Sequence, residues 1–305
     1  MLVTGAGRSG TSTIAGVLHH LGVPVPGPHL EANPTNPLGF FEAGWAVYFH
    51  NRALRQAGVG LADHRPGIEG QVRAVAGRKR RGRLATRLRD LSAGHPITVV
   101  KDPRAAWFLP LWQRACTDAG LDLRTVVMVR HPAEVVGSRR THYSSGEERL
   151  GAQRYAARAL GGWINVMLVT ELGTRGTPRC FVRYDALLAD WRRTTRAIER
   201  RLGLRLPGDP ERVAATDAFV DPGLRRHRPD SSALAALGVD PDLLTLAEEV
   251  FALGCRVAAG RDGRRTRRAF DAARERYARL APRLESTGDP GSTGADIGPD
   301  PSTLR

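Results

Sequence analysis

The sequence predicts an α/β fold: a parallel sheet with helices on both faces, a P-loop-like three-layer sandwich. Short β-branched runs alternate with helical segments, the pattern of strands joined by crossover helices. The first run leads into a glycine-rich turn, and each later run ends in a charged or polar cluster. In such sheets ligands gather at the carboxyl ends of the strands, so these clusters fall where a site belongs.

Leu2 to Thr4 reads as a short buried strand, followed by the turn Gly5-Ala6-Gly7-Arg8-Ser9-Gly10-Thr11-Ser12-Thr13. An apolar helix opens from that turn, Ser12 to Leu21, and Gly22 to Pro28 breaks it. An irregular stretch runs on through Pro37. Glu42 to Ala57 has helical spacing, with Trp45, Tyr48, Phe49 and Leu54 as candidate core contacts. Residues 62 to 95 are arginine-rich and poor in apolar side chains, and are expected to form exposed helix and loop.

Three further strands are expected. Ile97–Val100 runs into Lys101-Asp102-Pro103-Arg104, Leu123–Val129 into Arg130-His131-Pro132, and Cys180–Arg183 into Tyr184-Asp185. Helical segments separate them at Trp107–Ala119, from Ala133 onward, and at Arg149–Leu172. Later helices are expected around Leu243–Leu253 and Arg265–Leu284. The chain thus reads as one domain over 1–285, helical from about residue 230, and a disordered tail over 286–305 rich in Gly, Ser, Thr, Asp and Pro.

The turn has the spacing of a P-loop, G-x-x-x-x-G-K-[ST], with Thr11 where the lysine stands. Such a loop wraps phosphate in backbone N–H groups at a helix N-terminus. Without the lysine, and with Arg8 inside the loop, it points to a phosphate-like group held without nucleoside triphosphate hydrolysis. The alternative is a strand-to-helix turn that needs glycine for geometry alone.

Composition excludes several classes. No apolar window approaches the ~18 residues of a transmembrane helix, and the start lacks the regions of a signal peptide, so the chain is expected to be cytoplasmic. Met1 leaves almost nothing before the first strand, so the true N-terminus is open to lie a few residues upstream. Cys116, Cys180 and Cys255 have no metal-ligand spacing and read as reduced thiols. The net charge of +15 is almost all arginine, with Lys79 and Lys101 as the only lysines. The run Arg78-Lys79-Arg80-Arg81-Gly82-Arg83 lies in a segment without aromatic residues to stack bases, so a solvated helix is favoured over a nucleic-acid contact.

Together the clusters resemble the P-loop sulfotransferases that use 3′-phosphoadenosine 5′-phosphosulfate (PAPS). Arg8-Ser9-Gly10-Thr11-Ser12-Thr13 is similar to that family's 5′-phosphosulfate loop. Arg130, ending a strand, with Ser138 eight residues on, resembles its 3′-phosphate motif. Lys101-Asp102-Pro103 resembles a segment carrying a catalytic lysine, and Asn36-Pro37-Leu38-Gly39-Phe40-Phe41-Glu42 resembles one in bacterial members. Tyr184-Asp185 resembles a pair whose ring lies by the adenine. The resemblance covers roughly residues 1 to 230 in motif order.

The resemblance implies PAPS as cosubstrate, without a metal, and an acceptor hydroxyl on a small molecule, glycan or lipid-linked sugar. Sulfuryl transfer, like phosphoryl transfer, depends on positioning and charge stabilisation. Arg8 and the loop N–H groups would meet the leaving phosphate, and Lys101 the bridging or equatorial oxygens. Arg130 and Ser138 would grip the 3′-phosphate, unless Arg130 pairs with a carboxylate such as Asp102. Glu42 is the first candidate for the general base that takes the acceptor proton. Its alternative is a first-turn glutamate favoured by the helix dipole. Asp102 and His131 stand in reserve, and Arg104 occupies a stretch where cytosolic members carry a histidine. Arg226, in the basic segment 221–228, would fold over the cosubstrate. Residues 23 to 75 with Trp107, Trp112 and Tyr143 would build the acceptor pocket. Two rival readings stay open, a nucleotide kinase with a degenerate loop and a non-catalytic polyanion-binding protein. Nothing in the sequence sets the oligomeric state.

Overall fold

The computed structural model describes residues 1–33, 36, 38–142, 150–221, 223 and 231–284. Four parallel strands form one sheet in the order β2-β1-β3-β4: β1 Leu2–Gly5, β2 Val100–Lys101, β3 Thr125–Val129 and β4 Arg179–Arg183. Leu2 pairs with both Val100 and Thr125, so β1 is central, and Val126 pairs with Cys180. Alternate side chains divide between two cores, as the strand period of two requires. Leu2, Val127, Val129 and Phe181 enter one; Val3, Val126, Met128, Cys180 and Val182 enter the other.

All four predicted strands are present, but β3 begins at Thr125 rather than Leu123, and β2 is shorter than expected. Ile97–Val100 was expected to pair throughout, yet only Val100 and Lys101 join the ladder. The reason is the register: Leu2, the first residue of β1, stands opposite Val100, so no residue of β1 faces Ile97 or Thr98, while the outward-facing Val99 N–H donates to the Pro24 carbonyl. That contact ties the irregular segment after the first helix to the rim of the sheet.

On one face lie α1 (Thr11–His20), α8 (Tyr184–Ala189), α9 (Trp191–Leu202) and α10 (Pro210–Phe219), of which the last three are not evident in the sequence pattern. On the other lie α2 (Gly44–Ala57), α3 (Glu69–Val75), α4 (Arg78–Ser92), α5 (Leu109–Ala119), α6 (Pro132–His142) and α7 (Ala152–Gly173). The short α11 (Ser231–Ala236), with α12 (Pro241–Ala258) and α13 (Arg264–Leu280), completes that layer. Tyr277 of α13 donates to the Gly161 carbonyl of α7 at 2.9 Å, so the C-terminal helices share the sheet's own core.

The arginine-rich segment is more ordered than its composition implies. α4 buries Leu84, Ala85 and Leu88 and leaves its arginines outside. Tyr48, expected in the core, is instead 49% exposed on the outer face of α2. The expected tail, 286–305, lies outside the described residues. Among the described residues no helix is long and apolar enough to cross a membrane.

Candidate active site

β1 delivers the chain into the glycine-rich loop at the carboxyl edge of the sheet. Arg8 takes a left-handed φ of 67°, a conformation that costs a non-glycine residue energy and needs support from its surroundings. That support is visible: the Arg8 carbonyl accepts from Arg130 Nη1 at 3.0 Å, and Arg8 Nε donates to Ser138 Oγ at 3.1 Å. Gly10 has φ 88° and presses on the Tyr184 ring so closely that a Cβ would lie 2.2 Å from Cδ2. α1 starts at Thr11 with no side-chain cap, which leaves its first N–H groups aimed toward the loop without an intrahelical partner. Ser9 Oγ is buried there with no partner among the described residues.

Arg130 leaves β3 and is fixed from three directions. Nε donates to Glu134 Oε2 at 2.8 Å, Nη1 reaches the loop carbonyl, and the guanidinium lies 4.5 Å from the Tyr184 ring centroid. The carboxylate that holds it is therefore Glu134, one turn along α6, and not Asp102. Tyr184 is itself buried and bonded to Thr13, and burial pushes its phenol above the ordinary value, so the ring stays neutral. The structure thus gathers Arg8, Thr13, Arg130, Ser138 and Tyr184 around one loop. Tyr184 lies beneath the loop glycine.

The second half of the site is a buried chain of charges. Lys101, at the end of β2, donates to Glu42 Oε1 at 2.5 Å and to Ser12 Oγ at 3.2 Å. The second oxygen of Glu42 accepts from Arg104 Nη1 at 3.0 Å. Arg104 also donates to Asp102 Oδ1 at 3.0 Å, and its Nε to Asn51 Oδ1 at 2.7 Å. Glu42 is not a first-turn residue, because α2 begins at Gly44. Its own backbone is pinned, with the Glu42 carbonyl accepting from Leu30 N–H at 2.9 Å.

Asp102 is saturated. Burial opposes its ionisation, but the Arg104 guanidinium and the His50 ring hold its carboxyl well below the usual carboxylate range. His50 sits 2.8 Å from Asp102 Oδ2 through Nδ1, while Trp112 Nε1 donates to His50 Nε2 at 3.0 Å. An indole N–H only donates, so Nε2 accepts and the proton resides on Nδ1. The imidazole thus bridges a tryptophan and a carboxylate.

His131, the other reserve base, points elsewhere. Its Nδ1 accepts from Ala133 N–H at 3.3 Å, and Nε2 meets Glu248 of α12 at 3.1 Å. Trp107 and Trp112, expected to line an acceptor pocket, are core residues; Trp107 donates to the Leu61 carbonyl at 3.0 Å. Tyr143 and Arg226 lie outside the described residues. Sequence reasoning missed the parts of the site that come from α2, His50 and Asn51, and gave Arg104 no role in it. Their only sequence signal is a polar pair at adjacent positions inside an apolar helical pattern.

The family model described as "Sulfotransferase family" matches residues 1–208, which contain every element of this site. The chain belongs to the sulfotransferase family. Two solved sulfotransferase domains resemble this sulfotransferase only distantly. The domain from the Curacin biosynthetic pathway is 18% identical, over 77% of this chain and 88% of that one, with a TM-score of 0.42. The domain from the Synechococcus PCC 7002 olefin synthase is 19% identical, over 81% and 92%, with a TM-score of 0.43. No curated protein matches the sulfotransferase chain. Among its described residues, no group of three or more His, Cys, Asp or Glu side chains is placed to hold a metal ion.

Proposed function

We propose that the protein moves a sulfuryl group from PAPS to a hydroxyl of a small-molecule, glycan or lipid-linked acceptor, releasing adenosine 3′,5′-bisphosphate. The observation that carries this reading is the position of Lys101, whose ammonium touches Ser12 of the loop and Glu42 on the opposite side. A cation at that junction can meet charge that develops between a phosphate-binding loop and an acceptor.

The residues fit the donor. An uncapped helix N-terminus, an orphaned buried hydroxyl on Ser9, and the cations Arg8 and Arg130 make an anion-binding set. When bound, PAPS supplies an activated sulfuryl group whose leaving group is a phosphate. Arg8, Ser9, Gly10, Thr11, Ser12 and Thr13 would hold the 5′ end, and Arg130 with Ser138 the 3′-phosphate. Lys101 is one of two lysines in the chain, and its compact ammonium makes point contacts with Ser12 and Glu42 for which a planar, forked guanidinium is not shaped.

Glu42 is the group best placed to take the acceptor proton once Lys101 turns to the reacting oxygens and frees Oε1. Asp102 already serves Arg104 and His50, and His131 serves α12. Arg104 orients the Glu42 carboxylate from behind, which leaves Lys101 to exchange between that carboxylate and the reacting oxygens. The unbridged Cys116, Cys180 and Cys255 suit a cytoplasmic enzyme.

The test is calorimetric titration of adenosine 3′,5′-bisphosphate into the protein without magnesium, with ATP as comparison. Micromolar binding that is lost in Arg130→Ala supports the reading. Absent binding, or tighter magnesium-dependent binding of ATP, would favour a nucleotide kinase instead.

A further inference from the structure

The arginine run of α4 has no part in the site just described, and its own segment holds no aromatic residue. The fold supplies them. α2 lies beside α4 in the opposite chain direction, so that Arg87 stands over the Trp45 ring at 5.5 Å while Arg80 reaches Gln56 Oε1 at 2.5 Å. The inner face of α2 carries His50, Asn51 and Leu54 into the core. Its outer face carries Trp45, Tyr48, Arg52 and Arg55, which helical spacing aligns in a single row. Arg52 Nη1 donates to the Tyr48 hydroxyl at 3.3 Å.

The result is a strip of guanidinium groups around one exposed aromatic ring. α2 has no carboxylate, and α4 sets a single one, Asp90, against seven basic residues. Burial lowers the proton affinity of Arg80, and the neighbouring charges of Arg52 and Arg83 lower it further. Like charges held together with so few acids present a standing attraction for an anion.

We propose that this strip binds an anionic glycan chain, with Tyr48 as the stacking platform and Arg52, Arg83 and Arg87 as the groups that grip its sulfates or carboxylates. The proposal deepens the acceptor half of the proposed function and rests on it for the role of that chain as acceptor. Guanidinium forks match sulfate and carboxylate oxygens two at a time. The apolar face of a sugar ring packs on an aromatic ring whose polar tip stays wet, as the Tyr48 hydroxyl does. A membrane surface fits less well, since Tyr48 is the only large apolar side chain exposed on the strip among the described residues, too little to insert. A nucleic-acid strand needs successive stacking platforms, and Arg87 already covers the Trp45 ring. Trp45 follows Glu42 by three residues, in the first turn of α2, so the strip begins next to the candidate base.

The test is fluorescence anisotropy on the full chain with end-labelled, chemically sulfated maltohexaose at about 0.15 M salt. Unsulfated maltohexaose, an oligothymidylate strand of equal charge and phosphatidylglycerol vesicles serve as competitors. The sulfated sugar is expected to bind in preference to all three. Combined Arg52→Ala, Arg83→Ala and Arg87→Ala should weaken it by about tenfold or more and reduce the salt dependence. Lysine at the same three positions keeps the charge, loses the fork and should give an intermediate loss. Tyr48→Ala should weaken binding about fivefold with the salt dependence unchanged. None of these variants should alter the affinity for adenosine 3′,5′-bisphosphate. Absent binding, equal or tighter binding of oligothymidylate or vesicles, or indifference to Tyr48→Ala would overturn the proposal. If the sugar pattern holds while the wild-type chain does not bind the bisphosphate, the donor reading fails, and with it the assignment of the glycan as acceptor.

Discussion

Lys101 and Glu42 form a buried ion pair, Nζ to Oε1 at 2.5 Å, and neither side chain is more than 7% exposed. Its two neighbours hold it in place. Arg104 holds the far oxygen of Glu42, and Ser12 shares the ammonium.

Lys101→Met should reduce the rate of sulfuryl transfer by about 100- to 1000-fold. Lys101→Arg should restore little of it, because a forked guanidinium does not fit a point contact. Single-turnover rates measured beside adenosine 3′,5′-bisphosphate affinity would check this. A variant that loses affinity in proportion to rate would place Lys101 in binding rather than in the reaction.

Asp102 links stability to acid. Its folded carboxyl titrates well below the ordinary range while an unfolded aspartate titrates near ~3.9. The stability it contributes is therefore complete above that unfolded value and is lost as pH falls toward the folded one. Urea midpoints should decline as pH drops below about 4. Asp102→Asn should remove this component of the decline and lower stability near neutrality by about 3 kcal/mol, since it takes from Arg104 one of its two buried carboxylates and leaves only Glu42.

Trp112→Phe keeps the bulk of the ring and removes the donor to His50 Nε2. It should cost about 1–3 kcal/mol of stability, the price of one buried acceptor left unmade. Equilibrium unfolding would measure it. A change within ±0.5 kcal/mol, the usual effect of a surface substitution, would show that the imidazole finds another partner.

Gly10→Ala should cost well over the roughly 1 kcal/mol of an ordinary left-handed glycine, because its Cβ would meet the Tyr184 ring at 2.2 Å. Gly58→Ala is the matched control, with φ 63° and nothing within 4 Å of the added Cβ. If thermal melts give the two variants equal losses, Tyr184 yields and the loop is looser than its packing implies.

The strand ends were legible in sequence because buried parallel strands need β-branched runs, and each such run here stops at a polar residue that would be costly inside the sheet. Lys101 and Arg130 could be singled out for that reason, and Arg8 from its place in the glycine-rich turn. The partners of Lys101 and Asp102 could not. His50 and Asn51 stand about fifty positions from Arg104, and helical periodicity assigns them a face without saying what that face meets. Tyr48 shows the converse limit, since an aromatic residue at helical spacing reads as core until the neighbouring helix is known to be a row of arginines. α9 also escaped notice, because its apolar positions, Trp191, Ile198 and Leu202, are few among arginines and threonines.

The chain of contacts from Ser12 through Lys101, Glu42, Arg104 and Asp102 to His50 and Trp112 draws on α1, α2, β2, α5 and the segments between them. Deleting any member strands a buried charge, donor or acceptor on the next. The carboxyl end of the sheet therefore has no cheap local opening. Its amides should exchange with deuterated solvent together, at the free energy of global unfolding, while the outer turns of α4 exchange early.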